Sequence, residues 1–354
     1  MSLPVDSLDM WEATAGLPEQ MATALTTALA TAGDPWGPGW TGRPGGPGPI
    51  TNVVVCGMGG SGIAGDVLAA VAGPELPVPV TVLKSYELPA FVGPDSLVFA
   101  VSCSGETEET LATATAAAEV GAPVVAVTGG GRLARLAERE GWPVFAVPAE
   151  IPQPRAALGA MAVPLLVVLE QVGLADGLSS RLAATADALA RRRDRLVQPG
   201  SEAEELARRI GRTIPLVYGA TGPAAVAAQR WKTQINENAK APAFWSALPE
   251  LCHNEVAGWG QGGDVTRQVL TLVSLRHRGE HPQVARRFQL VTEVLLEVVA
   301  EVLEVRAEGA DPLGQLFDLI LLGDFVSLHL AGREGTDPGP VPVLVDLKDR
   351  LRQG

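Results

Sequence analysis

Short runs of apolar and β-branched residues recur through the first half of the chain, at residues 52–56, 80–84, 97–102, 123–128 and 144–147. Between them lie segments suited to helices, at 64–72, 108–120 and 133–140. Strands that read as continuous apolar runs are buried on both faces, which implies a parallel sheet covered by helices on each side. The pattern restarts further on, with strands at 214–218, 269–275 and 302–306. Helices are expected from Pro223, over 284–300 and over about 313–330. Both halves open with a strand, a glycine turn and a helix (53–65 and 216–228), a loose structural duplication rather than a sequence repeat.

The remaining segments read as attachments. Residues 5–32 suit a helix, with Leu8, Met10, Trp11, Leu17, Met21 and Leu25 offering apolar contacts. The stretch 33–49 is dense in Gly and Pro, carries Trp36 and Trp40, and cannot continue a helix. Residues 156–198 are mostly helical, with Gly173 and Gly177 marking a break. The expected organisation is an N-terminal helix and connector (1–49), a first α/β domain (50–153), a helical connector (154–205) and a second α/β domain (206–354). The fold class is α/β, with two doubly wound parallel sheets; a chain of 354 residues has room for both.

Composition narrows the function classes. With 47% apolar and 19% charged residues the chain is not a disordered protein. Its formal charge is −13, from 27 Lys and Arg against 40 Asp and Glu, whereas a nucleic-acid surface needs a clustered positive field. Arg191, Arg192, Arg193 and Arg195 are the local exception and read as a solvated helix face. No apolar run is expected to span a bilayer, and the N-terminus shows no basic region followed by an apolar one, so a cytoplasmic protein is expected. Cys56, Cys103 and Cys252 are far apart and odd in number, which suits neither a disulfide framework nor a metal knuckle. His277 and His281 are four apart, but Gly279 and Pro282 break the helix that would align them, so no metal or cofactor is expected.

Two motifs carry chemistry. Cys56-Gly57-Met58-Gly59-Gly60-Ser61-Gly62 follows a strand and precedes a helix. Gly57, Gly59 and Gly62 have the spacing of a dinucleotide fingerprint, which also calls for an acidic residue at the end of the second strand. That strand ends in Lys84-Ser85, which argues against NAD. Glycines of this kind also let backbone approach a phosphate at a helix N-terminus, or simply make a tight turn. The second motif, Ser102-Cys103-Ser104-Gly105-Glu106-Thr107, sits at the end of the third strand just before a helix. One helix cap accounts for one of its hydroxyls, not for three beside a second glycine turn at the sheet edge where α/β folds bind ligands. Cys103 fits a small buried residue better than a nucleophile.

Together these motifs resemble the sugar isomerase (SIS) domain. With Pro154-Arg155-Ala156-Ala157-Leu158-Gly159, Asn236-Glu237-Asn238-Ala239-Lys240, His253-Asn254-Glu255 and Leu347-Lys348 in that order, the chain is similar to the bifunctional phosphoglucose/phosphomannose isomerase family. The resemblance runs from about residue 50 to the end. It implies two SIS domains and a hexose 6-phosphate substrate whose phosphate lies on Gly60, Ser61, Ser102, Ser104 and Thr107. It further implies Arg155 as the family's arginine, Glu237 as base, and His253 and Lys348 as the ring-opening pair. Members are homodimers whose histidine reaches the neighbouring subunit's site. Many carry a threonine before the lysine helix, where this chain reads Asp337-Pro338-Gly339-Pro340-Val341, a departure that bears on the mannose epimer.

Taken without the family, each residue has a plainer alternative. Glu237 falls off the stripe of Ala224, Ala228, Trp231 and Ile235, which suits a cleft or bulk solvent. Lys348 projects between Leu344 and Leu351 on the face they form with Leu347, where a lysine is held in a cleft or snorkels outward. A structural role for His253 and an interdomain salt bridge for Arg155 are the counterparts. Aldose–ketose isomerisation needs a base, an acid to open the ring and a cation beside the enediolate, and these four residues supply that set. A non-catalytic sugar-phosphate sensor would keep only the Ser/Thr loops; amino-sugar phosphate isomerisation is the second rival.

Overall fold

In the computed structural model, which describes residues 5–31 and 49–353, the helix expected over 5–32 is two helices, α1 (Met10–Ala15) and α2 (Leu17–Thr31). They part at Gly16, where the chain also divides into two compact units. The first unit comprises Gly16–Arg191 with Glu308–Phe317; the second comprises Met1–Ala15, Arg192–Ala307 and Asp318–Gly354. Trp36, Trp40 and the expected connector up to residue 48 lie outside the described residues.

The first unit is built on five parallel strands, β1 (Asn52–Cys56), β2 (Val80–Leu83), β3 (Ser96–Ser102), β4 (Val124–Thr128) and β5 (Val144–Ala146), ordered β2-β1-β3-β4-β5. Every residue of β1, β3 and β4 is buried, as their uninterrupted apolar character requires. The covering helices are α3 (Gly59–Val71), α4 (Glu108–Glu119) and α5 (Gly131–Glu140). Two more follow, α6 (Leu158–Gln171) and α7 (Leu178–Leu196), separated where Gly173 and Gly177 adopt positive φ. Although α6 falls in the segment read as connector, it is apolar all round and buried from Leu158 to Leu169. Gln20 of α2 fastens its start, donating to the Ala156 carbonyl (2.9 Å) and accepting from the Ala160 amide (3.0 Å).

The second unit holds four parallel strands, β6 (Ile214–Ala220), β7 (Phe244–Leu248), β8 (Leu270–Arg276) and β9 (Glu301–Arg306), ordered β7-β6-β8-β9. Its helices are α8 (Glu202–Ile210), α9 (Pro223–Gln234), α10 (Gly263–Val269), α11 (Pro282–Leu295), α12 (Pro312–Arg333) from Asp318 onward, and α13 (Pro342–Gln353). The strand β7 was not expected: Phe244 and Trp245 are exposed on this edge strand, so its run lacks the buried character that marks its neighbours. The helix expected over 284–300 stops at Leu295, and turns follow.

Two expectations are corrected by buried ion pairs. Arg192 is not on a solvated face; it is buried, donating to Asp318 (Nε, 2.8 Å) and Glu202 (Nη2, 2.7 Å). Nor is a bilayer-length apolar run missing, since α12 is long and apolar enough to cross a membrane by length and composition. It is instead a core helix, with its apolar window wholly buried, and its carboxylates Asp318 and Asp324 meet Arg192 and Arg230.

Candidate active site

In the first unit the connections after β1 and β3 lead to α3 and α4 on their way to opposite neighbours, β2 and β4, which opens a crevice at the carboxyl edge. The helix after β1 begins at Gly59 rather than 64, so Gly59, Gly60, Ser61 and Gly62 form its first turn; the Ser61 and Gly62 amides donate to the Met58 carbonyl (2.9 and 3.1 Å), and those of Gly59 and Gly60 precede the first of these bonds. Gly60 sits at a close approach: a Cβ there would lie 3.0 Å from both N and Cα of Arg155, a tight fit against backbone. The 3-10 turn Pro154–Ala156 thus packs directly on the first turn of α3, bringing Arg155 beside the cradle. Arg155 is only 3% exposed, and its Nη1 donates to Gln153 Oε1 (3.3 Å).

The hydroxyls knit the two loops together. Ser61 is buried; its Oγ accepts from the Cys103 amide (3.2 Å) and lies 3.4 Å from Met161 Sδ, a weak acceptor. Ser102 Oγ accepts from the Gly105 amide (3.1 Å) and shares a hydrogen bond with Thr107 Oγ1 (2.9 Å). Thr107 occupies the N-cap of α4, yet its side chain makes no capping bond. Ser104 is exposed and its Oγ accepts from the Glu106 amide (3.2 Å). Gly105 has φ +68°, and a Cβ there would lie 1.9 Å from the Gly130 carbonyl oxygen, so only glycine fits this turn. Gly60, Ser61, Ser102, Thr107 and Arg155 are therefore parts of one built cradle, with Ser104 at its exposed side.

Just past β2, Lys84 pairs with Asp66 of α3, and its Cε would lie 3.0 Å from a Cβ at Gly62. Burial pushes the Asp66 carboxyl above its usual range, against the pull of Lys84. This pair went unread in the sequence, where the Lys-Ser ending served only to argue against a ribose site.

In the second unit α9 runs into a single π-helical turn, Ile235–Ala239, which carries Glu237 half-buried. The flanking asparagines lock that turn: Asn238 Nδ2 donates to Ser327 Oγ and Asn236 Nδ2 to the Ala241 carbonyl, both at 2.9 Å. Lys240 follows in the left-handed region (φ +55°), and its Nζ donates to the carbonyls of Glu237 and, at 3.2 Å, Pro338. The base candidate is thereby tied to the segment that leads into α13. His253 is exposed at the end of the 3-10 turn Glu250–His253. Next to it Glu255 accepts hydrogen bonds from Tyr218 Oη and Ser246 Oγ. Burial raises the Tyr218 phenol well above its ordinary value, and the Glu255 carboxylate adds to the shift.

Lys348 is the residue whose surroundings differ most from the sequence picture. Leu344, Leu347 and Leu351 do share a face of α13, but they are 42%, 55% and 67% exposed, and Lys348 is exposed among them. The helix pattern was legible; the packing partner it suggested is not found within the described chain.

His277 and His281 lie in the turn after β8, their Nδ1 atoms accepting from the amides of Gly279 (3.2 Å) and Gln283 (3.1 Å). Among the described residues no group of three or more His, Cys, Asp or Glu side chains is arranged to hold a metal ion.

Residues 50–140 match the SIS domain family, and residues 200–351 match the bacterial phospho-glucose isomerase C-terminal SIS domain family. A bifunctional phosphoglucose/phosphomannose isomerase of Caldicellulosiruptor bescii is 36% identical over 308 residues, which cover 86% of this chain and 90% of that protein. The chain belongs to the bifunctional phosphoglucose/phosphomannose isomerase family. An Aquifex aeolicus protein of the same name is also 36% identical, over 307 residues that cover 86% of this chain and 92% of it. The fold is shared more widely: tagatose-6-phosphate ketose/aldose isomerase from Escherichia coli superposes with a TM-score of 0.70 at 16% identity, covering 94% of this chain and 95% of that one.

The segment 337–341, expected from the sequence to depart from the family pattern, packs against the N-terminal segment. A Cβ at Gly339 would lie 2.8–3.0 Å from Cγ, Cβ and Cδ1 of Leu8, while the Gly339 amide donates to Asp337 Oδ1 (3.0 Å). The N-terminal segment thus occupies the space a larger residue would need. Gly339→Thr is expected to destabilise the protein by about 1–3 kcal/mol through overpacking. In a double-mutant cycle read by denaturant unfolding, Leu8→Ala should lessen that loss, so that the double variant is more stable than the two single effects added together.

Proposed function

We propose that this chain is an aldose–ketose isomerase that interconverts glucose 6-phosphate and mannose 6-phosphate with fructose 6-phosphate through a cis-enediolate, without a metal. The observation that supports this reading is the packing of the first turn of α3, the Ser/Thr loop and Arg155 into one structure. Helix N-terminal amides and hydroxyls attract a phosphate dianion locally, so the overall charge of −13 is no obstacle.

In this reading Gly60, Ser61, Ser102, Ser104 and Thr107 bind the phosphate ester. His253 and Lys348 assist ring opening. Glu237 removes the C2 proton of the open-chain aldose and returns it to C1, while Arg155 offsets the charge that develops on the enediolate oxygens. A homodimer, with His253 serving the neighbouring subunit, and a cytoplasmic location complete the proposal. The exposed leucine face of α13 supports the first of these, since an apolar helix face of that extent is usually covered by a partner.

A coupled assay on EDTA-treated protein, with each aldose phosphate offered separately and fructose 6-phosphate detected, tests the function. Conversion of both epimers at undiminished rate after EDTA is the expected result. Ligand-induced stabilisation without conversion of either would instead indicate a sugar-phosphate sensor.

A further inference from the structure

We infer that Glu255 is the positioning residue for His253, pinning the loop that carries it to the neighbouring strands β6 and β7; this rests on the reading of His253 as a ring-opening group. The clamp comes from strand register. Tyr218 on β6 and Ser246 on β7 are direct partners in the parallel pairing, so their hydroxyls stand side by side on neighbouring strands. Each donates to a different oxygen of the one carboxylate, Tyr218 to Oε1 and Ser246 to Oε2. Tyr218 is fully buried, so one donor is immobile.

The loop is fixed on both sides of His253. Leu251, two residues before it, is buried. Asn254, directly after it, accepts from the Glu255 amide through Oδ1 (2.6 Å) and donates from Nδ2 to Glu250 Oε1 (2.9 Å). The turn Glu250–His253 is thus closed on the turn Glu255–Gly258, and Glu255 ties the pair to the sheet while the imidazole of His253 stays exposed. A half-buried carboxylate is a costly way to hold a loop that needs only stability, because apolar contacts would do so without a desolvation penalty. Its advantage is directional: two charge-assisted hydrogen bonds fix orientation as well as position.

Ring opening breaks the C1–O5 bond of the pyranose, delivers a proton to O5 and removes the proton of the anomeric hydroxyl. A displaced imidazole slows that step and leaves the later C2 proton transfer unaffected. The test compares glucose 6-phosphate with its C2-deuterated form in the full-length wild type and in the Glu255→Ala, Glu255→Gln, Tyr218→Phe, Ser246→Ala and His253→Ala proteins.

Glu255→Ala is expected to lower kcat/KM by about ten- to a hundred-fold, with the deuterium effect collapsing toward unity as ring opening becomes rate-limiting. Glu255→Gln, able to accept from Tyr218 and donate to Ser246, should recover most of the rate and the isotope effect. Tyr218→Phe and Ser246→Ala, which each remove one donor, should fall between, so the inference stands or falls on them if Glu255→Ala does not fold. Adding Glu255→Ala to His253→Ala should cause no further loss. An unchanged rate, or a reduced rate with the isotope effect intact, would overturn the inference. Failure of the underlying reading is distinguishable: a wild type with no turnover, or a His253→Ala protein at full rate, removes the ring-opening role and the inference with it.

Discussion

Glu237→Gln is expected to lower kcat on glucose 6-phosphate by about a hundred- to ten-thousand-fold, the usual span for loss of a general base. KM and melting temperature should stay near wild type, because the substitution keeps the size of the side chain and the turn is held by other groups. Asn236, Asn238 and Lys240 fix the π-helical turn through their own hydrogen bonds. π-helical turns within helices occur often at functional sites, and the left-handed lysine that ends this one is a second departure from regular helix geometry. Steady-state kinetics with a binding isotherm for an unreactive sugar phosphate checks the expectation. Near-wild-type turnover would remove the base assignment.

The largest stability effect is expected for Asp324→Ala. Arg230 on α9 donates to both Asp324 oxygens, from Nε at 3.0 Å and Nη2 at 2.7 Å, and both side chains are buried. Removing the carboxylate leaves a buried guanidinium without its bidentate partner, which costs about 3–5 kcal/mol. For a unit of this size that corresponds to a fall in melting temperature of roughly 6–20 °C. The contact is intimate elsewhere too: Trp231 Nε1 donates to the Leu319 carbonyl (2.7 Å), and a Cβ at Gly323 would come within 2.1 Å of that indole nitrogen. Because α9 leads into the Glu237 turn, activity should fall together with the folded fraction. Replacing both partners, Arg230→Met with Asp324→Leu, should recover much of the stability, since a buried ion pair exchanged for apolar packing is often neutral. Calorimetry of the three proteins settles the matter.

The parts of this architecture that were legible in the sequence are those fixed by local pattern. Five strands of the first sheet and three of the second announce themselves as apolar or β-branched runs, most clearly β1, β3 and β4, whose every residue is buried, and β6 and β8, buried but for their first residue. The glycine and hydroxyl motifs after β1 and β3 were legible because each is a contiguous run of residue types at the end of a strand. What escaped depends on distant partners. The start of α3 at Gly59 runs against glycine's poor helix propensity and is accompanied by packing on the Arg155 turn, almost a hundred residues away in sequence. Arg192 looked solvated because Asp318 lies 126 positions along the chain. The strand β7 was hidden by its exposed edge, and with it the Tyr218–Ser246 register on which the Glu255 clamp depends. Lys348 illustrates the reverse case, since a clear apolar face on α13 does not specify what covers it.

The most direct test of the central claim is proton NMR of glucose 6-phosphate incubated in D2O with a catalytic amount of EDTA-treated protein. A base-mediated enediolate mechanism predicts fructose 6-phosphate, then mannose 6-phosphate, with deuterium entering C2 of the remaining glucose 6-phosphate as the base exchanges its proton with solvent. Undiminished conversion by the Glu237→Gln protein under the same conditions would contradict proton transfer through Glu237, and no conversion at all by the wild type would contradict the isomerase itself.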